Sequence, residues 1–209
     1  MNADLPERLA ARLMQKPLPG RAAQRRFEPG LCYGRHFGPP TMWSRAAAVL
    51  VLLYPHEGGW HLPLTVRPAT LVAHAGQISL PGGSIDPGET SPQAALRELE
   101  EELGVGGEEI ELLGGLSPLY VFVSEFQVTP WVAVARRRPA FTPSPIEVAE
   151  LLEVPLAHLV DPANQGRHMR RQRGVELSAP HFLWGRHRIW GATSMILAEM
   201  VALAEEIGA

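Results

Sequence analysis

Apolar residues in the first third of the chain follow two patterns, one helical and one continuous. In the N-terminal segment they recur at helical spacing among basic residues, which predicts an amphipathic helix that starts near residue 4 and ends by Pro17. These apolar positions are Leu5, Leu9, Leu13 and Met14. The almost unbroken apolar run from Ala46 to Tyr54 predicts a strand that is buried on both faces. A second strand is predicted from Trp60 to Val66.

A long connection rich in glycine and proline, residues 67–91, separates this second strand from a helix predicted over 92–103. Ser91 is a suitable N-cap for that helix, and Gly104 is suited to its C-terminal stop. Loops of this length in compact domains are usually either functional or disordered. Because this connection also contains apolar residues, we expect it to be ordered and functional.

The second half of the chain alternates short apolar runs with turn residues, which is typical of several strands and a few helices. We predict strands within 112–122 and 126–135 and at 148–154, a short helix near 156–160, a loop or hairpin over 164–180, one or two strands over 181–190, and a closing amphipathic helix over 192–207. No repeat or low-complexity linker interrupts the chain. We therefore expect one domain over residues 1–209, with 1–44 as an N-terminal helix and irregular extension.

Composition and charge narrow the class of protein. Hydrophobic residues make up 45% of the chain and charged residues 20%, as in folded globular proteins. The net charge of −3 disfavours a non-specific nucleic-acid binder, and no apolar run reaches the about 18 residues of a membrane span. The one cysteine, Cys32, permits no intramolecular disulfide and is expected to be inert. We expect a cytoplasmic protein without nucleic-acid or membrane partners, either a monomer or a homodimer.

Three glutamates of the helix over 92–103 lie on one face because they are spaced by three and four residues. We call them the helix glutamates: Glu98, Glu101 and Glu102. Like charges at this spacing destabilise a helix by roughly 0.2–0.5 kcal/mol per pair. Arg97 is the only base in the helix, and we expect the three glutamates to have no basic partner. We interpret the row as a metal site, with a solvated face as the alternative. Carboxylates without histidine or cysteine favour Mg²⁺ or Mn²⁺, and hence phosphate chemistry.

The segment around this helix resembles a known family motif. Gly83 is followed by five residues, Glu89, seven further residues and the run from Arg97 to Val105. This resembles the Nudix box, G-x5-E-x7-R-E-U-x-E-E-x-G-U, at every defined position over 83–105. The resemblance implies a Nudix hydrolase, which cleaves a nucleoside diphosphate linked to another moiety. It also implies the α+β Nudix fold, an α/β/α sandwich in which a mixed β-sheet lies between helices and the box forms a loop–helix–loop.

The resemblance also implies roles for individual residues. Glu98, Glu101 and Glu102 match the metal-binding glutamates, and the Gly82 carbonyl matches a further ligand. Arg97 matches a structural arginine that anchors the loop through a carboxylate such as Glu89. Glycines at 82 and 83 permit close approach of the backbone to metal and phosphate.

The general base is drawn in this family from the box or from a later loop. It must lie within hydrogen-bond reach of the attacking water. Three candidates remain open on sequence grounds: Glu101, Glu125 and Glu147.

The stretch before the box resembles the second motif of the coenzyme A pyrophosphatase branch. The matching residues are Leu64, Thr65, Arg67, Gly76, Pro81, Gly82 and Gly83, and the departures are Pro63, Pro68, Val72 and Leu80. The branch implies a small-molecule nucleotide substrate, coenzyme A (CoA) or a derivative, split into 3′,5′-ADP and 4′-phosphopantetheine. Arg67, which opens the loop leading to the box, is the foremost candidate for a phosphate contact, with a structural salt bridge as its alternative. The candidate substrate residues are Arg67, His74, Gln77, Gly82 and Gly83.

Two other functions remain open. One is hydrolysis of another nucleotide, such as ADP-ribose, a dinucleotide or a damaged nucleoside triphosphate. The other is a non-catalytic Nudix-fold regulator, which is disfavoured because the box retains all its glutamates. A further set of basic residues is a candidate for a second phosphate contact or for a solvated hairpin: Arg167, Arg170, Arg171 and Arg173.

Overall fold

Two sheets and five helices make up the described part of the computed structural model, residues 4–69, 76–172 and 174–209. The helices are α1 Leu5–Met14, α2 Gly20–Gln24, α3 Ser91–Leu103, α4 Leu156–Val160 and α5 Ala192–Glu206. The strands are β1 Arg45–His56, β2 Gly59–Val66, β3 Ile78–Ser79, β4 Gly82–Ser84, β5 Ile110–Gly115, β6 Leu119–Val121, β7 Phe126–Ala135, β8 Glu150–Pro155, β9 Gln165–Gln172, β10 Val175–Trp184 and β11 His187–Trp190. The larger sheet has the order β3-β2-β1-β7-β5, with β4 beside β1, β6 beside β7 and β8 beside β2, and β11-β10-β9 form the smaller sheet.

β1 is the central strand of the larger sheet and is buried on both faces, as its apolar run predicts. It pairs in parallel with β7 and antiparallel with β4 near its start and with β2 near its end. Val51 and Leu53 belong to the core that contains α1 and α5, whereas Leu50 and Leu52 belong to the core formed with α3. The mixed sheet therefore lies between helices, which confirms the expected α/β/α sandwich.

The last helix is enclosed rather than amphipathic, which corrects the prediction for 192–207. Eleven residues of α5 are buried, including the charged Glu199. The reason is long-range, because α1, α2 and α4 all pack against α5 and cover faces that would otherwise meet solvent. In α1 the three leucines are buried as predicted, but Met14 is 83% exposed because the helix ends there.

The predicted caps of α3 need one correction. The N-cap is Thr90 rather than Ser91, because the Thr90 N–H donates to the Gln93 side chain (2.9 Å) in a capping box. The helix ends before Gly104, whose left-handed backbone (φ 69°) is the predicted stop. The connection before α3 contains β3 and β4, so it is ordered in its described part, and β4 brings it beside β1.

The remaining predicted elements are present. β5, β6 and β7 fill the two ranges predicted for strands, although β5 begins at Ile110. α4 spans the predicted 156–160, and the segment 164–180 is the hairpin of β9 and β10. Among the described helices, none is both long and apolar enough to cross a membrane.

Candidate active site

The three helix glutamates share one face of α3 but differ in exposure. The side chain of Glu101 is 52% exposed and that of Glu98 13%, whereas Glu102 is 2% exposed. The gradient arises because α3 packs against β1 through Leu99 and Leu103, and Glu102 lies beside this apolar stripe. Two of the three carboxylates therefore lack the solvent that a solvated helix face would provide.

Arg97 joins the preceding loop to α3. Its Nε and Nη2 donate to Glu89 (3.0 and 3.2 Å), and Nη2 also donates to the Ser84 carbonyl (2.9 Å), so the expected anchoring by Glu89 is confirmed. Its Nη1 donates to Glu98 (3.0 Å) and Glu101 (2.9 Å). The expectation that the helix glutamates have no basic partner is therefore wrong, because the long Arg97 side chain reaches two of them.

Glu102 is a buried carboxylate with little compensation. The hydrogen bond that it accepts comes from Thr65 Oγ1 at 3.3 Å. Burial raises the pKa of Glu102 to about 7, the charges of Glu98 and Glu147 add to this, and the Arg67 guanidinium opposes it. Burial also raises the pKa of Glu98. Glu98 and Glu102 lie close together, and burial disfavours the charged form of each. Such a pair binds either protons or a cation.

Two glycines of β4 permit the close approach between this strand and α3. A Cβ on Gly83 would overlap the Glu98 carboxylate. A Cβ on Gly82 would overlap the Ala48 carbonyl oxygen, and the φ of 153° at Gly82 is one that other residues rarely adopt. A larger side chain at either position would push β4 away from β1 or from α3. The glycines therefore allow the backbone of β4 to lie next to the carboxylates.

The donor set of this site fits a hard divalent cation such as Mg²⁺ or Mn²⁺. Glu98 and Glu102 offer carboxylate oxygens in a setting that disfavours their negative charge, which a cation would compensate. The third helix glutamate, Glu101, is bound to Arg97. Within 4–69, 76–172 and 174–209, no three His, Cys, Asp or Glu side chains are grouped closely enough to hold a metal ion.

A cavity of about 760 Å³ opens beside Gly82 and Gly83. Its walls come from β1, the segment of β3 and β4, the turn between β6 and β7, the N-terminal extension and the β10–β11 region. Much of the lining is apolar and includes Leu31, Val49, Phe122, Phe126, Leu177 and Trp190. Of the predicted substrate residues, Arg67, Gln77, Gly82 and Gly83 line the cavity, whereas His74 lies outside the described residues.

Arg67 directly follows β2, and its backbone is hydrogen-bonded to Gly76 and Gln77. Its N–H donates to the Gln77 carbonyl, and its carbonyl accepts from the Gly76 N–H, both at 3.0 Å. In the part of the chain that the structure describes, the buried Nε of Arg67 has no hydrogen-bond partner, and no carboxylate forms an ion pair with the guanidinium. A structural salt bridge, the alternative to a phosphate contact, is therefore not formed with these residues.

The profile of the NUDIX domain matches residues 44–172, a range that contains the helix glutamates, β4 and Arg67. The chain belongs to the Nudix family. As a Nudix hydrolase it acts on phosphoric anhydrides, and enzymes of this family generally use divalent metal ions.

Similar proteins are known from bacteria and animals. The uncharacterized Nudix hydrolase NudL of Pectobacterium atrosepticum is 39% identical over 168 residues, which cover 77% of this chain and 83% of that protein. The mitochondrial coenzyme A diphosphatase NUDT8 of Homo sapiens is 38% identical over 155 residues, which cover 72% of this chain and 66% of that protein. Among solved structures, the MutT protein of Methanosarcina mazei Go1 has the same fold, with a TM-score of 0.50 at 17% identity over 79% of this chain and 99% of that one.

The structure brings one later carboxylate to the Nudix-box helix. Two backbone N–H groups of the loop 142–148 donate to the last carbonyls of this helix, both at 2.8 Å. This contact places Glu147 close enough that its charge adds to burial in raising the pKa of Glu98 and Glu102. Glu147 is thus the candidate base from outside the Nudix box that faces the box carboxylates.

Glu125 is engaged in a different contact. It lies in the turn before β7 with a φ of 57° and accepts hydrogen bonds from the Tyr120 hydroxyl and from Thr41 Oγ1 (2.8 Å). These two hydrogen bonds lower the pKa of Glu125, and no Nudix-box carboxylate contributes to that shift. The contact fastens the N-terminal extension to the β6–β7 turn, so the structure does not bring Glu125 together with the metal face.

None of the described arginines in the segments 136–138 and 167–173 is itself among the residues that line the cavity. The three arginines that follow β7 pair with nearby glutamates: Arg136 with Glu111, Arg137 with Glu109 and Arg138 with Glu153. On the hairpin, Arg170 stacks on Trp190 (4.1 Å), and Arg173 lies outside the described residues.

Sequence reasoning missed Arg35 and Phe122, which do line the cavity. Arg35 lies in the irregular N-terminal extension, where no hydrophobic periodicity indicates which side chains face a site. The one signal in the sequence was an arginine among aromatic residues.

Proposed function

We propose that this Nudix hydrolase cleaves the diphosphate of CoA or a CoA derivative into 3′,5′-ADP and 4′-phosphopantetheine, with Mg²⁺ or Mn²⁺. The observation that carries the proposal is the large apolar cavity that opens at Gly82 and Gly83, beside the carboxylates. A substrate with a long, flexible pantetheine arm needs such an apolar path next to its diphosphate. The name of the human relative, a coenzyme A diphosphatase, supports the same substrate.

Glu98 and Glu102 would hold the metal ion, together with Glu101 and the Gly82 carbonyl. When bound, the ion supplies charge neutralisation at the phosphoryl oxygens and acidifies a water. Arg67 binds a diphosphate oxygen, because it is among the residues that line the cavity and its guanidinium forms no ion pair with described residues.

Glu147 takes the proton from the attacking water. The charge of Glu147 acts on Glu98 and Glu102, whereas Glu125 is hydrogen-bonded to Tyr120 and Thr41, and Glu101 is assigned to the metal ion. The oxygen of that water forms a bond to one phosphorus, and the bridging P–O bond breaks. Gln77 and the backbone at 82–83 hold the substrate in the cavity mouth.

The proposal includes a reducing compartment, the cytoplasm, and a small-molecule partner only. The Cys32 thiol is buried, and burial raises its pKa, so it is poorly suited to redox exchange.

A substrate panel with each metal tests the proposal. CoA, acetyl-CoA, ADP-ribose, diadenosine tetraphosphate and 8-oxo-dGTP would be incubated with Mg²⁺ or Mn²⁺, and the products identified by mass. We expect 3′,5′-ADP from CoA, at a kcat/KM at least about tenfold above that for the nucleotides without pantetheine. Preference for any of those nucleotides would replace CoA as the substrate. Glu102→Gln, prepared identically, controls for a contaminating phosphatase.

A further inference from the structure

A second cation reaches the cavity from the N-terminal extension. Among the described residues that line the cavity, the arginines are Arg67, which follows β2, and Arg35, in the short 3₁₀ turn Arg35–Phe37. That turn packs on β6, while β1 and β7 lie between β2 and β6 in the hydrogen-bonded order of the sheet. The two guanidiniums therefore approach the cavity from different sides of β1.

The orientation of Arg35 is fixed by contacts that leave part of its guanidinium unused. The guanidinium carbon lies 4.1 Å from the centroid of the Phe122 ring. Nε donates to the Cys32 carbonyl and Nη2 to the Leu31 carbonyl, both at 3.1 Å. Within the described part of the chain, Nη1 has no hydrogen-bond partner and no carboxylate pairs with the guanidinium. An aromatic face with two backbone contacts restricts the rotamers of a long side chain, so its remaining donors are held in place.

The loop that carries Arg35 contains two residues in unfavourable backbone conformations. Leu31 (φ 63°) and Tyr33 (φ 52°) adopt left-handed conformations, which cost of order 1 kcal/mol each for residues with a side chain. The Glu28 carboxylate accepts from the Gly34 N–H (3.1 Å), and His36 Nδ1 bonds with the Tyr120 carbonyl (2.8 Å). These tertiary contacts hold the turn on β6, so the position of Arg35 does not depend on a flexible tail.

We infer that Arg35 is a specificity-determining residue that binds a second phosphate of the substrate, the 3′-phosphate on the adenosine of CoA. The inference rests on the proposed function. The proposed function puts the diphosphate at Gly82, Gly83 and Arg67, so a cation on the other side of β1 is positioned to bind an anionic group elsewhere on the substrate. A phosphate monoester is such a group, and a guanidinium edge binds it with charge-assisted hydrogen bonds. ADP-ribose has no phosphate beyond its diphosphate.

The test compares CoA with 3′-dephospho-CoA, which differs by that phosphate alone. Arg35→Ala should lower kcat/KM for CoA by about 10–100-fold, mainly through KM, because one charge-assisted contact is lost. It should change kcat/KM for 3′-dephospho-CoA less than about twofold. Arg67→Ala should lower both values, since both substrates carry the diphosphate. Arg35→Lys, which keeps the charge but loses the planar fork, should fall between Arg35→Ala and wild type.

The chain offers a matched control. Arg45 lies over the Phe126 ring at the same 4.1 Å but is not among the residues that line the cavity. Arg45→Ala removes an equivalent surface contact and should leave the ratio of kcat/KM for the two substrates at its wild-type value. Arg35→Gln provides the same comparison if Arg35→Ala melts far below wild type.

The outcomes separate this inference from the proposed function. A wild-type enzyme that does not hydrolyse CoA would overturn both. Efficient hydrolysis of CoA by the wild type, with equal losses on both substrates or no loss in Arg35→Ala, would overturn the inference alone. As an independent readout, 3′,5′-ADP should inhibit the wild type more strongly than 5′-AMP, and Arg35→Ala should bring the two inhibition constants together. Unchanged inhibition constants in that variant would contradict a phosphate contact.

Discussion

Two buried glutamates, Glu102 in α3 and Glu199 in α5, are equally hidden from solvent but differently surrounded. Glu199 is 0% exposed, and its carboxylate accepts hydrogen bonds at 2.7–3.2 Å from the backbone and side chains of three residues: Gly20, Gln24 and Ser117. Glu102 is 2% exposed and accepts from Thr65 at 3.3 Å, with other carboxylates nearby. The two carboxylates are therefore equally buried, but Glu199 accepts several hydrogen bonds and Glu102 accepts one long hydrogen bond from the described residues.

This difference is the one expected between a carboxylate that cross-links the fold and one that binds a ligand, the role that we propose for Glu102. A buried carboxylate surrounded by donors cross-links the elements that supply them, and Glu199 ties α2 and the β5–β6 loop to α5. A buried carboxylate without enough donors is unfavourable for folding unless a ligand completes it. Glu102 is of the second kind: its charge is disfavoured by that of Glu98, which lies against Gly83, and the proposed metal ion would compensate both carboxylates.

The largest expected effect is on catalysis at Glu102. Glu102→Gln keeps the shape of the side chain but removes a metal ligand worth several kcal/mol of transition-state stabilisation, so kcat should fall about a thousandfold or more. The free energy of unfolding of the metal-free protein should not fall. Steady-state rates with CoA and urea titrations measure the two quantities. Glu100→Gln, an exposed position in the same helix, is the matched control and should retain wild-type rates.

Two results would contradict the proposed role of Glu102 as a metal ligand. Near wild-type turnover in both Glu102→Gln and Glu98→Gln would remove the metal role. Loss of the fold in Glu102→Gln would show that Glu102 is structural, as Glu199 is.

The next largest effect is on stability at Glu199. Glu199→Ala leaves several buried donors without an acceptor and should lower the free energy of unfolding by about 3–5 kcal/mol. The kcat of the folded fraction should stay at the wild-type value, because α5 contributes this carboxylate to packing and not to the Nudix box. Urea titration with active-site normalised rates tests both parts. A variant as stable as wild type would contradict the cross-linking role.

The pH dependence of stability tests the burial of Glu102. Because the pKa of Glu102 is raised from 4.5 to about 7 in the native state, the folded protein keeps a proton in this range that the unfolded chain has lost. The metal-free protein should therefore lose stability as pH rises from about 4.5 to about 7, by at most about 3 kcal/mol from this group. Glu102→Gln should flatten that slope. Identical slopes in wild type and Glu102→Gln would show that Glu102 does not titrate in this range.

Local patterns were sufficient to predict much of the fold. A continuous apolar run identified β1, helical spacing identified α1 and terminal residues identified α3, because all three are properties of neighbouring residues. The Nudix motif then identified the helix glutamates. The spacing of these glutamates defines a face of the helix but not what covers it, so the graded burial from Glu101 to Glu102 could not be predicted.

The features that sequence reasoning missed depend on distant segments. α5 is enclosed because α1 and α2 fold back over it, and Glu199 receives its donors from residues about 80 to 180 positions away. Arg35 meets Phe122 because Glu125 accepts from Thr41 and His36 bonds with the Tyr120 carbonyl. None of these pairs has a periodic signature, so only the folded chain shows them.

The smallest effects concern the hydroxyl groups that face the two carboxylates. Ser117 Oγ donates to Glu199 at 2.7 Å, so Ser117→Ala should cost about 1.5–3 kcal/mol of stability, as expected for a short hydrogen bond to a charged group. Thr65 Oγ1 lies 3.3 Å from Glu102, and Thr65→Val, which preserves volume, should cost less than about 1 kcal/mol. Urea titrations at pH 7.5 without metal give both values. A larger cost for Thr65→Val than for Ser117→Ala would mean that the single donor at Glu102 compensates its charge better than the donors around Glu199, and the distinction between the two glutamates would then fail.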